Sequence, residues 1–146
     1  MTDAFIVHQP ESGNAEILEM TPPVAMTDVW FATPESPLNE RAKALSADGV
    51  TLAGMRWEAD VLKLWAFKHG QLEFEYDSSP SFATCTITPP VTSLEGDLAA
   101  LFGKPDASAA VKRLLARKKG LGFISESQRL AQLLELLGVA RTEART

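Results

Sequence analysis

The stretch from residue 61 to 77, VLKLWAFKHGQLEFEYD, constrains the fold more than any other, because two strand-like runs meet with only His69-Gly70 to turn the chain. A turn that short sets the register of a β-hairpin, and residues opposed across an antiparallel pair share a face. With Lys68 opposite Gln71, undisturbed alternation sets Phe67 against Leu72, Trp65 against Phe74 and Lys63 against Tyr76, which predicts an aromatic wall on one face. The other face pairs Ala66, Leu64 and Leu62 with Glu73, Glu75 and Asp77. The first strand, apolar on both sides, is expected inside a sheet; the second is amphipathic and expected half in water.

The chain ahead of the hairpin has the same short period. Residues 4–8 (AFIVH) and 15–20 (AEILEM) read as a strand and its return, 26–32 (MTDVWFA) as another, and 50–57 (VTLAGMRW) as one more in which Gly54 marks a candidate bulge. Ser36-Pro37 combines a hydroxyl cap with proline at the first helical position, predicting a helix over 37–47 that buries Leu38, Ala42 and Leu45. After the hairpin, 82–88 (FATCTIT) reads as a last strand before Pro89-Pro90.

From there the period becomes 3.6. Thr92 and Glu95 form a capping box ahead of Leu94, Leu98, Leu101 and Phe102; Asp106 is the expected cap of a second helix through Val111, Leu114 and Leu115. Ser125 and Gln128 open a third, with Leu130, Leu133, Leu134 and Leu137 on one stripe and Gly138 as the stop. The expected fold is therefore α+β: an antiparallel sheet, one crossing helix (about 37–47) and a C-terminal cluster of three helices (about 93–138) packed on one face. The aromatic wall should meet those helices. Residues 1–138 read as a single domain and 139–146 as a flexible tail.

Composition narrows the function classes. A chain of 146 residues can bury a core without metal or disulfide staples, and its single cysteine, Cys85, rules out an internal disulfide and a cysteine-based metal cluster. No apolar run approaches the length of a membrane-spanning helix, and the first residues lack the basic start of a secretory signal, so a cytoplasmic location is expected. The net charge of −5 opposes generic contact with phosphate backbones.

Candidate sites are few. His69 with Asp77 and Ser78 or Ser79 has the residue types of a hydrolytic triad, but the turn and the far end of the strand lie roughly 20 Å apart at the usual strand rise, leaving only His8 as a candidate base. Glu73, Glu75 and Asp77 alternate along one strand; a solvated face explains them, and they also offer an acidic stripe to a basic partner. Lys63 is out of place on a ring-lined face, where it either caps the wall or forms a cationic site for an anionic or planar ligand together with Tyr76, Arg56 and Trp57. The basic residues Lys112, Arg113, Arg117, Lys118 and Lys119 sit toward a helix C-terminus, where the macrodipole accounts for them, and no aromatic is interleaved for base stacking.

These readings favour a non-enzymatic protein-binding or accessory module without metal or cofactor, using either the acidic stripe or the C-terminal helices. The alternatives are a small-molecule binder or small enzyme with a pocket between sheet and helices, and a homodimer built on the last leucine stripe.

Overall fold

Strand-forming residues dominate the first half of the chain, and they build one sheet. The computed structural model describes residues 2–11, 13–21, 33, 35–57, 61–78, 91–93, 97–116 and 126–139. Strands β1 (Thr2–Pro10), β2 (Glu16–Thr21), β3 (Gly49–Trp57), β4 (Val61–Lys68), β5 (Gln71–Asp77) and β6 (Val91–Ser93) pair antiparallel in the order β2-β1-β3-β4-β5-β6. Helix α1 (Pro37–Leu45) lies in the connection that carries the chain from β2 past β1 to β3; α2 (Leu98–Leu101), α3 (Ser108–Ala116) and α4 (Glu126–Leu136) follow the sheet. The α+β class is as expected.

Local signals explain most boundaries. His69 and Gly70 both have positive φ, the conformation a two-residue hairpin turn requires. Proline starts α1, although the Ser36 hydroxyl accepts from the Thr33 amide instead of capping the helix, and the helix ends at Leu45 in a 3-10 turn over Ser46–Asp48. Leu45 is only partly buried. Gly138, with φ of 73°, stops the last helical segment. Gly54 makes no bulge. It stands opposite Phe5, whose ring occupies the space a Cβ would need.

Two helix starts differ from expectation. Thr92 does not cap a helix; it pairs with Tyr76 in β6, and the helix begins later, at Leu98, where the Asp97 carboxylate accepts from the Ala100 amide. Asp106 lies in a 3-10 turn over Pro105–Ala107, so α3 starts at Ser108. Val139, expected in the tail, is buried and donates its amide to Leu134. The strands expected at 26–32 and 82–88, the turn at 58–60, Cys85 and the basic residues 117–119 lie outside the described residues.

The main correction concerns the hairpin. Lys68 faces Gln71 and Phe67 faces Leu72 as expected, but the register then shifts: Ala66 faces Phe74, Trp65 faces Glu75, Leu64 faces Tyr76 and Lys63 faces Asp77. Glu73 is the extra residue of a β-bulge. There is no common aromatic wall, because Trp65 and Phe67 pack with Leu38 and Ala42 of α1, while Phe74 and Tyr76 pack with Leu98, Phe102, Leu115 and Leu133 of the C-terminal helices.

The sheet is thus covered on both faces, α1 on one and the C-terminal helices on the other. Strict alternation would have turned Glu75 and Asp77 toward leucine stripes, where a buried carboxylate costs far more than the one disturbed ladder position of a bulge. Two-sided cover also explains why β4 is apolar on both sides.

Candidate functional site

The bulge brings together side chains that ideal alternation separates. Lys63 and Asp77 are direct cross-strand neighbours, and Glu75 is one position along on the same face, opposite Trp65. All three charged side chains are half-buried. The Trp65 ring is buried and its Nε1–H donates to Glu75 Oε2 at 3.0 Å, so the acid is oriented by a group packed into the core. Burial pushes the Lys63 ammonium below the usual lysine range, while the nearby charges of Asp77 and Glu75 pull it partly back. Helix α1 packs against β1, β3 and β4 on this side. The result is a polar shelf over β4 and β5 beside the helix.

Of the four residues expected to form a ligand site, Lys63, Arg56 and Tyr76 do not converge. Lys63, opposite Met55, occupies a register position on the α1 side of the sheet, and the Trp57 backbone pairs with Val61 at the end of β3. Arg56 is opposite Leu62 and so shares the other side with Tyr76. Tyr76 is 1% exposed and its hydroxyl donates to the Leu115 carbonyl at 2.7 Å, which makes it a strut between sheet and helix. Of the acidic residues, Glu75 and Asp77 share the shelf with Lys63, and Glu73 sits at the bulge beside them.

The two histidines stand at the other end of the hairpin. His8 Nε2 is 3.0 Å from Asp48 Oδ1, and His69 Nε2 is 2.6 Å from Glu11 Oε1. Backbone bonds tie the same segments: the His69 amide donates to Ser46 and Gly49, and the Glu11 amide to Asp48. Ser78, at the far end of β5, is buried against Leu62, whose amide its hydroxyl accepts and whose carbonyl takes its own amide proton. His69, Asp77 and Ser78 therefore do not meet. Among the described residues no group of three or more His, Cys, Asp and Glu side chains is placed to hold a metal ion.

One buried charge escaped the sequence reading. Arg129 is fully buried at the start of α4, with Nη1 donating to the Leu114 carbonyl at 2.6 Å and to Leu115 at 3.2 Å. Its guanidinium carbon is 6.0 Å from the Tyr76 ring centroid. Arg129 and Tyr76 together donate to the carbonyls of Leu114 and Leu115 in the last described turn of α3. The signal was present in the spacing, since Arg129 lies four and eight residues before Leu133 and Leu137, in phase with the apolar stripe.

Comparison with protein-family models, with curated proteins and with solved structures gives no match. Among the described residues no helix is long and apolar enough to cross a membrane.

Proposed function

We propose that this chain is a non-enzymatic binding module that recognises another protein, selecting a basic segment of it through Glu75, Asp77 and the adjacent Glu73. The observation that supports this reading is the 3.0 Å bond from Trp65 Nε1 to Glu75. A carboxylate already held by a buried indole has less rotamer freedom to lose when a cation arrives. Lys63 between the acids offsets part of their charge and leaves the shelf net acidic. A partner's lysine or arginine then finds two carboxylates one strand-repeat apart, Glu75 already held by Trp65, a spacing suited to an extended segment. The overall charge of −5 acts in the same direction at long range, speeding encounter with a basic partner more than it tightens the complex.

The test is capture from lysate at low and high salt, with the wild-type chain and the Glu75→Gln/Asp77→Asn double variant as parallel baits. A partner held by the wild type at low salt, and released both by salt and by the double variant, is the expected result. Recovery of no partner at either salt, or of one indifferent to the variant, overturns the reading.

A further inference from the structure

The outer surface of the C-terminal helices carries a second feature, independent of the acidic shelf. A groove of about 400 Å³ runs between α3 and α4, lined by Ala110, Arg113, Leu114, Gln132, Glu135 and Leu136. Its floor is apolar, and Ala110 and Leu136 are each left partly exposed there. Its rims differ in sign: Arg113 stands exposed on the α3 side and Glu135 exposed on the α4 side. Neither makes an ion pair with a described residue. The α3 sequence SAAVKRLLA has Lys112 and Arg113 and no acid, whereas the one arginine of α4 is turned into the core and leaves Glu135 as the charge on that rim.

Opposite charge on the two rims of one groove is the pattern a two-fold interface uses. A symmetry axis along the groove exchanges the rims, so a basic residue on one helix meets the acidic residue of the other copy, and the same contact forms twice. We propose that the α3/α4 groove is a self-association surface, in which a second copy of this chain packs its Leu136 edge on the apolar floor and each Arg113 pairs with Glu135 of the other copy. A foreign partner would have to supply this charge pattern; a second copy already has it. The apolar centre contributes the area removed from water, and the paired rims fix the orientation.

Sedimentation equilibrium of the full chain over a concentration series, at low salt, tests this. Four proteins are compared: wild type, Arg113→Glu, Glu135→Arg and the double charge swap, with far-UV circular dichroism confirming that each stays folded. The expected result is a wild-type dimer that either single reversal weakens by about tenfold or more, since each reversal places two like-charge contacts in the interface. The double swap restores the wild-type affinity. A wild type that is monomeric up to about 1 mM, an affinity too weak to matter, overturns the proposal. So does a dimer indifferent to both reversals, or a monomer that takes up a different protein in this groove.

Discussion

Trp65 stands across the ladder from Glu75, not from Phe74, and gives that carboxylate its indole proton at 3.0 Å. The contact exists because one extra residue at Glu73 rotates the rest of β5 by half a pleat. It couples the interior of the sheet to the shelf proposed for recognition.

Removing the acceptor should therefore be felt in stability. Glu75→Ala leaves a buried N–H without a partner and is expected to cost about 1–2 kcal/mol, whereas Glu75→Gln retains an acceptor oxygen and should cost less than about half of that. Urea denaturation monitored by tryptophan fluorescence measures both. Equal losses from the two variants would show that the bond contributes nothing.

Lys63 gives a pH dependence of definite sign. Its folded-state pKa lies below the ordinary lysine value of 10.5, because burial disfavours the ammonium more than Asp77 and Glu75 favour it. Below the folded pKa both states are protonated and the full penalty applies. As pH rises from the folded pKa toward 10.5 the unfolded chain binds more protons, so this group's contribution to stability increases. The unfolding free energy of the wild type, minus that of Lys63→Met, should rise across that window. A difference that stays flat or falls across that window would contradict the assignment.

Tyr76 and Arg129 share an acceptor, and this predicts non-additivity. The Leu115 carbonyl takes the Tyr76 hydroxyl at 2.7 Å and Arg129 Nη1 at 3.2 Å. Either single loss leaves the other of these two side-chain donors in place. Tyr76→Phe should cost about 1–2 kcal/mol, and Tyr76→Phe with Arg129→Met should cost more than the two single changes summed, because only the double variant removes both side-chain donors from the carbonyl. A double-mutant cycle in denaturant reads the coupling directly, and simple additivity would argue against a shared role.

How much of this was legible in the chain depends on how far each signal reaches. His69-Gly70 and Gly138 act through their own backbone angles, and Pro37 through its missing N–H, so each was readable where it stands. The capping box at Thr92 and Glu95 was misleading for the opposite reason: a strand partner, Tyr76, claims Thr92 from a distant part of the chain. The bulge at Glu73 is likewise decided elsewhere, by the leucine stripes of the C-terminal helices, which draw Phe74 and Tyr76 toward them. That single shift separated the expected ligand residues and joined Lys63 to the acids. Arg129 went unread because its phase with the leucines marks a buried position but gives no hint of the Leu114 and Leu115 carbonyls it will meet.

The order of the sheet also bears on how the molecule assembles. The β1–β2 pair and the β3–β4–β5 meander each bring together strands that are adjacent in the chain, whereas the ladder from Thr2↔Trp57 to Pro10↔Gly49 must wait for a long intervening loop to close. Phe5, whose ring fills the space beside Gly54, sits inside that seam. Two halves built from neighbouring stretches of chain and joined along one seam make the β1–β3 ladder the long-range step of assembly, with a benzyl group seated over bare backbone inside it.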